Sequence, residues 1–416
     1  MSGWRAGVAK VCITPDEPIC LDGWGSRISQ GVSMDIWAKA AAFAVGADGP
    51  VHVLVSADLC GFSGSMAERL VAWAAAEHGM DRSQLVLNCS HNHSGPVFED
   101  TLPLYHDLPD AEYDIIAKYT ATLEQRVRQA ISDAIGALAP ARVGWGQSLC
   151  GFAVNRRRSR GNETRELPTV VDQDVPVLTL REAESGALIG CLFGYSCHAT
   201  AINDQKVNGD YCGHACAAIE RAHPGTVALF VAGCGADCNP LPRLDPEGEL
   251  GRMYGTILAA SVEEVLEAPE EEAEHGAGAS GVYSATALAP TLESAYGECT
   301  LPFEPPPTRA ELEQGLLDTA EGSAERRQLR YHLDLLDDVA PDPMRAPRLF
   351  TDTVGGQLAT SVPYRAHVWR LGGKLRFVAL TGEPVVDYAL RFKAELGWTD
   401  TWVSASHICR PKHLIH

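Results

Sequence analysis

The sequence predicts an α/β fold with a mixed β-sheet core and helices packed around it. Continuous apolar runs such as VHVLVSADLCG and IGCLFGYSCHAT are typical of strands buried on both faces. Amphipathic stretches with helical spacing alternate with these runs along the chain, as expected of an α/β architecture. The composition, with 45% hydrophobic and 21% charged residues, is that of a folded globular protein with a large core.

The N-terminal part reads as strands, helix and strand in turn. Residues 4–60 alternate strand-like runs with turns, among them the Gly-rich loop LDGWGSR at 21–27. Residues 64–79 carry apolar side chains at helical spacing and end in a glycine, as a helix with a C-terminal cap does. A strand then opens into the loop SHNHSGP at 90–96, and residues 111–137 form the clearest amphipathic helix.

The same alternation continues through the middle of the chain. Strand-like segments at 141–154 and 174–181 precede the run IGCLFGYSCHAT, a helix with the sequence ACAAIERAH and a strand with the sequence TVALFVA. A helix from 246 to about 276 becomes increasingly acidic, which is typical of a solvated surface. Thr308 is placed to cap a polar helix that extends to about 338, because Glu311 occupies the capping-box position.

We interpret residues 1–416 as a single domain, in which 305–340 is a helical excursion before strands near 362–382. The formal charge of −20 argues against a nucleic-acid partner, because phosphate neutralisation needs a basic surface. The sequence contains neither the apolar core of a signal peptide nor a run of about 18 apolar residues. We therefore expect a cytoplasmic protein without a transmembrane segment, and the oligomeric state stays undetermined.

The chain has 13 cysteines, which lie singly in apolar contexts, as at Cys60, Cys89, Cys191 and Cys299, rather than in a regular disulfide pattern. Most are expected to be buried free thiols. The spacing of two further pairs also suggests a four-thiolate zinc site. We disfavour that interpretation, because one pair falls in a predicted helix and the other in a Gly-rich turn; the pairs are Cys212/Cys216 and Cys234/Cys238.

Histidines at strand ends are the sharpest local signal. His91 and His93 are two positions apart where a strand opens into a loop, so their side chains face the same space. Two such imidazoles suit a metal site, or a metal ligand beside an acid/base group; a structural pair is an equally good interpretation. His198 also ends an apolar strand, where ligand crevices form in α/β sheets. Six others are interpreted as surface or helix positions, namely His52, His78, His106, His223, His275 and His332.

One carboxylate is placed to complete a hydrolytic zinc centre. Glu383 lies in the strand-to-turn segment FVALTGEPV. Two histidines, one carboxylate and a water molecule form the usual ligand set of such a centre.

Eight motifs in series resemble the neutral/alkaline (non-lysosomal) ceramidases, a family of zinc amidases. The resemblance covers most of residues 1–395. The motifs occur in the family's order: the turn ITP with the Gly-rich loop, the strand ending in Asp58, SHNHSGP, Asn155–Arg156, CHAT, NGDYCG, FVAGCGADCNP and LTGEPV. The resemblance implies a ceramidase-like catalytic domain with Zn²⁺ as its cofactor.

The resemblance also implies roles for single residues. His91, His198 and Glu383 would be the zinc ligands, His93 a proton-transfer or substrate-contacting residue, and Arg156 a substrate contact. The turn that contains Gly233, Gly235 and Asp237 borders the pocket in the family, although a tight turn capped by Asp237 explains it equally well. Asp58 and Asp210 are interpreted as carboxylates that hold the imidazoles in one tautomer, or alternatively as turn and cap residues. The motifs place two further residues near the pocket, Asn155 and Tyr211.

The sequence differs from the family in three respects, and these limit which family properties can be assigned to it. The chain stops before an immunoglobulin-like domain. The family's additional zinc-site tyrosine has no counterpart, since the atypical segment 404–416 contains none. We favour a truncated terminus over replacement of this ligand by His407 or Cys409. Arginines also follow Arg156, and form either a solvated loop or a site for an anionic group; they are Arg157, Arg158 and Arg160.

These features predict a zinc-dependent hydrolase that cleaves the amide bond of an N-acyl amine such as ceramide. Its partner would be a small amide or lipid-like substrate. Two alternatives remain open at this stage. One is a zinc hydrolase of another carbonyl bond, such as an ester or lactone, and the other is a catalytically silent ligand-binding homologue.

Overall fold

The computed structural model confirms the predicted α/β architecture with mixed sheets. It describes residues 3–99, 108–157, 170–268, 284–302, 305, 307–337, 353–354, 357–358, 361–405 and 408–409.

The strands, in chain order, are β1 Trp4–Cys12, β2 Cys20–Leu21, β3 Arg27–Ile28, β4 Trp37–Val45, β5 His52–Ala57, β6 Phe62–Ser63, β7 Leu85–Cys89, β8 Ala139–Leu149, β9 Ala153–Asn155, β10 Asp174–Glu182, β11 Leu188–Tyr195, β12 Val227–Ala232, β13 Cys238–Pro240, β14 Thr286–Ala287, β15 Leu292–Pro302, β16 Thr353–Val354, β17 Gln357–Leu358, β18 Ser361–Leu371, β19 Leu375–Leu380, β20 Thr401–Ala405 and β21 Ile408–Cys409. The helices are α1 Gly64–His78, α2 Asp110–Gly136, α3 Asp210–Ala222, α4 Glu249–Glu267, α5 Arg309–Asp318, α6 Ala324–Leu336 and α7 Val386–Leu396, with a short 3-10 helix at Arg82–Gln84.

Two sheets form the body of the described chain. The larger sheet has the strand order β12-β11-β10-β8-β1-β4-β5-β7, with β14 paired to β8. It is mixed, because β5 runs parallel to β7 and β11 to β12 while the other pairs are antiparallel. The smaller sheet has the order β15-β18-β19-β20.

Burial on both faces explains why the strands of the larger sheet are almost continuously apolar. On β5, Val53 and Val55 belong to the core cluster shared with α1 and α2. Leu54, which points the opposite way, packs in the cluster that includes Trp369 and Phe377 of the smaller sheet. The larger sheet therefore lies between a helical layer and the smaller sheet.

The two edge strands of the larger sheet, β7 and β12, come together. The Ala232 N–H at the end of β12 donates to Asn88 Oδ1 on β7, at 3.1 Å. From the middle of the sheet, Lys39 Nζ donates to the carbonyl of Ala228 on β12, at 2.7 Å. This closure brings together the loops that follow β7, β11 and β12, and these loops carry the predicted site residues.

The helical excursion at 305–340 differs from the single helix that its sequence predicts. The Thr308–Glu311 capping box is present at the start of α5. A turn that contains Gly322, at a positive φ of 76°, then separates α5 from α6. Glycine adopts this left-handed conformation without steric cost, and it lies in the turn between Thr319, which follows α5, and the start of α6.

Two side chains lie in other environments than we expected. His52 is neither on the surface nor in a helix: it is buried at the start of β5, where its Nε2 lies 3.0 Å from Ser294 Oγ. Cys299 is exposed on β15. His106 and His275 lie outside the described residues.

The other cysteines whose side chains the structure describes follow the prediction of buried free thiols, except Cys12, which is half-buried. Where the structure describes the chain, the clusters able to hold a metal do not include the thiols of Cys212, Cys216, Cys234 or Cys238, so the four-thiolate interpretation finds no support. Within the same ranges, every helix is too short or too polar to cross a bilayer.

Candidate metal centre

The structure brings together the three predicted metal ligands, His91, His198 and Glu383, from the loops after β7, β11 and β19. His91 Nε2 lies 3.3 Å from Glu383 Oε2, and His198 Nε2 lies 3.7 Å from the same oxygen. Both imidazoles are buried, whereas Glu383 is partly open to solvent. Ligand atoms about 2.0–2.1 Å from a tetrahedral zinc ion are separated by about 3.3–3.4 Å. The His91–Glu383 distance matches this separation and the His198–Glu383 distance is slightly longer, so the three residues are placed to hold a metal ion of this size.

Backbone carbonyls hold both imidazoles in the orientation that a metal needs. His91 Nδ1 lies 2.7 Å from the carbonyl oxygen of Cys60, and His198 Nδ1 lies 2.7 Å from that of Gly235. A carbonyl oxygen only accepts hydrogen bonds, so each Nδ1 carries a proton, and Nε2 of each neutral imidazole is the nitrogen that can bind a metal. His91 has a positive φ of 57°, a left-handed conformation that is uncommon for residues other than glycine, just after the end of β7.

The carboxylates of Asp58 and Asp210 bind backbone amides rather than imidazoles. Asp58 Oδ2 accepts from the Trp37 N–H at 3.0 Å. Asp210 accepts from the N–H groups of Ala201, Ile202 and Tyr211, all close to it in the chain. Asp210 therefore follows the turn-and-cap alternative, whereas Asp58 binds the start of the neighbouring strand β4. Burial raises the pKa of each carboxyl to about 6.

His93 lies against His91 and below an aromatic ring. Its Nε2 is 3.3 Å from His91 Nε2, and its ring centroid is 5.1 Å from that of Trp24. Arg27 stacks on the Trp24 ring and donates to the His93 carbonyl at 2.8 Å. A Cβ atom on Gly23 would lie 2.4 Å from His93 Nδ1, which explains the glycine at that position. Trp24 and Arg27 were not among the predicted site residues, although both lie in the Gly-rich loop LDGWGSR.

The turn between β12 and β13 connects the remaining predicted residues. Its residue Asp237 accepts from Asn155 Nδ2 at 2.7 Å, and the Asp237 carbonyl accepts from the Arg156 N–H at 2.7 Å. Arg156 Nη2 donates to the carbonyl of Ala236 at 2.7 Å. The structure thus brings Arg156 to the same turn that orients His198, and Arg156 is one of the charges that disfavour protonation of that histidine.

The glycines of this turn allow its close approach to the end of β11. A Cβ on Gly233 would lie 2.4 Å from Ser196 Oγ, and one on Gly235 would lie 2.7 Å from the Cys197 backbone nitrogen. Tyr211 lies behind the same segment, where its hydroxyl donates to the Cys197 carbonyl at 2.7 Å. Tyr211 is fully buried, so it supports the strand end.

The pKa values of the two ligand histidines diverge. Burial lowers the pKa of His91, but the Glu383 carboxylate and Cys60 outweigh that effect and raise it to about 10. Burial lowers the pKa of His198 to about 4. The Glu383 carboxylate therefore favours a proton on His91, shared between the two side chains. A divalent cation would replace this proton.

The thiol of Cys60, which was not among the predicted site residues, also approaches the centre. Cys60 forms a second metal-capable group with His91 and His93, and its Sγ is 3.8 Å from His91 Nδ1. The backbone of β21, which includes Cys409, pairs with β6. His407, Arg158 and Arg160 lie outside the described residues, so the truncated terminus that we favour over replacement of the tyrosine, and the two interpretations of the arginines, stay predictions.

Comparisons with known proteins agree with this geometry. A family model described as neutral/alkaline non-lysosomal ceramidase, N-terminal, matches residues 5–237. Two similar solved structures are a ceramidase complexed with C2, at 18% identity and a TM-score of 0.69, and the neutral ceramidase from Pseudomonas aeruginosa, at 19% identity and a TM-score of 0.68. Each alignment covers 98% of this chain and 68% of the other, and at these identities the likeness establishes the fold. The search of curated proteins found no matching sequence.

Proposed function

We propose, from the premise that this chain belongs to the neutral/alkaline non-lysosomal ceramidase family, that it is a zinc-dependent hydrolase of N-acyl amines such as ceramide. The observation that carries the proposal is the cluster of His91, His198 and Glu383, whose spacing fits one zinc ion. The products would be a fatty acid and an amine.

His91, His198 and Glu383 would hold the zinc ion, which when bound supplies a Lewis acid that polarises a carbonyl and acidifies a water molecule. His93 would donate a proton from Nε2 to the departing amine, because this nitrogen faces the centre beside His91. Arg156 would contact the substrate, since Nη2 donates to the Ala236 carbonyl and so places the guanidinium at the turn that orients His198. Trp24 would form an apolar wall over His93.

The arrangement favours an amide over an ester or a lactone. An amine is a poor leaving group until it is protonated, and His93 lies where such a proton donor is needed. An ester or lactone needs this donor less. Parallel assays on amide and ester analogues with the same acyl chain would separate the two activities.

Metal content and hydrolysis test the proposal together. We expect about one zinc per chain in the wild-type protein, and loss of that zinc in His91→Ala and in His198→Ala, because each removes one of three ligands. Zinc-loaded wild-type protein should hydrolyse N-acyl amines in a panel of acyl lengths, and a chelator should abolish the activity. His223→Ala is the matched control, since this histidine pairs with Glu263 away from the centre.

Two results would contradict the proposal. A folded wild-type protein without metal, which binds ligand equally well with a chelator present, would support the catalytically silent homologue. Zinc-loaded protein that cleaves none of the panel would exclude the N-acyl amine substrate.

A further inference from the structure

The turn at residues 233–238 contacts three segments that contribute residues to the candidate metal centre. It is bound to the Glu383 loop, to the Arg156 strand and to the imidazole of His198. Asp237 is the one charged side chain in this turn, and it is 3% exposed. We infer that Asp237 is a positioning residue that holds the Glu383 and Arg156 segments in fixed relation around the metal. This inference rests on the proposed function.

The first contact fixes the segment that carries Glu383. Asp237 Oδ1 accepts from the Val386 N–H, the first residue of α7, at 2.9 Å. The N-cap residue of this helix, Val385, has no side-chain group that could cap it. Asp237 therefore caps α7 from another part of the chain, and a negative charge at a helix N-terminus is favourable. The Ala236 N–H donates to the carbonyl of Pro384, next to Glu383, at 3.3 Å.

The second contact fixes the segment that carries Arg156. Asp237 Oδ2 accepts from Asn155 Nδ2 at 2.7 Å, and Asn155 also donates to the carbonyl of Val170 at 3.0 Å. The Arg156 guanidinium and backbone N–H bind the carbonyls of Ala236 and Asp237. The two oxygens of one carboxylate thus connect two segments that are far apart in the sequence.

The same turn also orients the third segment. The carbonyl of Gly235 accepts from His198 Nδ1, and the carbonyl of Cys238 accepts from the His198 N–H at 2.9 Å. A shift of the turn would move the acceptors of His198 together with the cap of α7. Outer contacts of this kind set the position of metal ligands, and their loss typically costs about 10- to 100-fold in metal affinity.

The residue type at 237 follows from hydrogen-bond chemistry. The two nitrogen partners of the carboxylate, Val386 N–H and Asn155 Nδ2, are both donors and contact different oxygens, so position 237 must supply two acceptor atoms. A carboxylate does so, whereas an amide has a single acceptor oxygen and would bring its NH₂ group against one of the donors. Asp237→Asn keeps the size of the side chain but leaves one of these bonds unmade.

The inference is tested with purified full-length protein, by competition for zinc with a chelator and by steady-state kinetics. Asp237→Asn should weaken zinc binding about 10- to 100-fold and raise KM in the zinc-saturated enzyme. Addition of Asn155→Asp to Asp237→Asn should recover part of both losses. The carboxylate introduced at position 155 would accept from the amide introduced at position 237. The oxygen of that amide then accepts from the Val386 N–H, although the bond to Val170 is lost.

Asp245→Asn is the matched control. Asp245 accepts from the Leu250 and Glu247 N–H groups within its own turn, at the start of α4. This variant should lower the melting temperature without changing zinc affinity. An Asp237→Asn protein that melts at a lower temperature but keeps wild-type zinc affinity and KM would reduce Asp237 to a structural residue and overturn the inference. A folded double variant without any recovery would do the same.

The failure of the proposed function has a different signature. Wild-type protein that binds zinc but cleaves no amide would refute the N-acyl amine reaction, while the zinc affinities of the variants would still decide the role of Asp237. Wild-type protein that binds no zinc would overturn both.

Discussion

His93 is the residue on which proton transfer in the proposed reaction depends. Its Nε2 faces the centre, and Trp24 and the Arg27 contact to its backbone hold the ring from the other side. General acid catalysis by a positioned side chain contributes roughly 10²- to 10⁴-fold to a rate. We therefore expect His93→Gln to lower kcat by about that factor, with the zinc content unchanged.

Elemental analysis of His93→Gln is the check that accompanies the kinetics. His93 Nε2 and Glu383 Oε2 are each 3.3 Å from His91 Nε2. His93 is therefore close enough to the centre to act either as a proton donor or as a metal ligand. Loss of zinc in this variant would assign His93 to the metal instead of to the leaving group.

Gly235 is the residue at which backbone packing reaches the metal centre. An added Cβ would lie 2.7 Å from the Cys197 nitrogen and 2.9 Å from the Ser196 carbonyl carbon. These are backbone atoms, which cannot easily move away from the added methyl group, so Gly235→Ala should destabilise the protein by roughly 1–3 kcal/mol. It should also weaken zinc binding, because it displaces the carbonyl that orients His198. Denaturant unfolding and chelator competition measure the two effects.

Gly297→Ala provides the control for that substitution. Gly297 lies on β15 and a Cβ there would meet no atom within 4 Å. The variant should be as stable as the wild type or slightly more stable, since glycine weakens a strand interior. An equal loss of stability in Gly235→Ala and Gly297→Ala would show that replacement of a glycine, and not steric crowding at position 235, causes the effect.

At the scale of elements, α1 is connected to the 3-10 helix and to the smaller sheet through Glu68. Arg82 donates to both carboxylate oxygens at 2.7 Å, and Arg365 on β18 donates to one of them. The hydrogen bond from Arg82 is the main cause that lowers the pKa of Glu68 to about 2. A lowered pKa in the folded state means that the contribution to stability is present above pH 4.5 and is lost as the pH falls towards 2.

Glu68→Gln should accordingly lower the free energy of unfolding at pH 7, and the difference from the wild type should shrink as the pH falls from 4.5 towards 2. The effect should be under about 1 kcal/mol, because the Glu68 side chain is 46% exposed and solvent screens the pairs. Urea unfolding at several pH values measures it. The control is Glu17→Gln, which breaks an exposed pair with Lys118 and should not change the free energy of unfolding. A loss of stability in Glu68→Gln that does not depend on pH would contradict the lowered pKa of Glu68.

At the scale of the whole molecule, the candidate metal centre joins loops after β7, β11 and β19, which belong to both sheets. A ligand that binds only the folded state stabilises it by mass action, by about 2.7 kcal/mol at 100 times its dissociation constant. We therefore expect the melting temperature to rise with zinc concentration and to fall when a chelator is added.

The combined variant His91→Ala with His198→Ala should not respond to zinc, and Glu17→Gln should respond like the wild type. A melting temperature that is independent of zinc in the wild-type protein would count against a metal that bridges these loops. Thermal unfolding followed by circular dichroism is sufficient for this comparison.

Local patterns in the sequence determined much of this protein. Apolar runs and helical spacing predicted the α/β class and most elements, because strands buried on both faces and amphipathic helices leave short-range signatures. The grouping of His91, His198 and Glu383 was predicted from strand ends and from the family motifs, and the structure brings these three together. The position of Thr308 before Glu311 predicted the start of α5 for the same local reason.

The tertiary structure alone decided which groups orient those residues. The imidazoles bind the carbonyls of Cys60 and Gly235, whereas Asp58, for which an imidazole contact and a turn or cap role were both open, binds the Trp37 N–H. The two bonds of Asp237, and the contact of Trp24 with His93, likewise join segments far apart in the chain. Every residue carries a backbone carbonyl and most carry an N–H, so no side-chain pattern marks which of them a fold will bring to an imidazole or a carboxylate. That choice follows from the closure of the larger sheet and from the packing of α7.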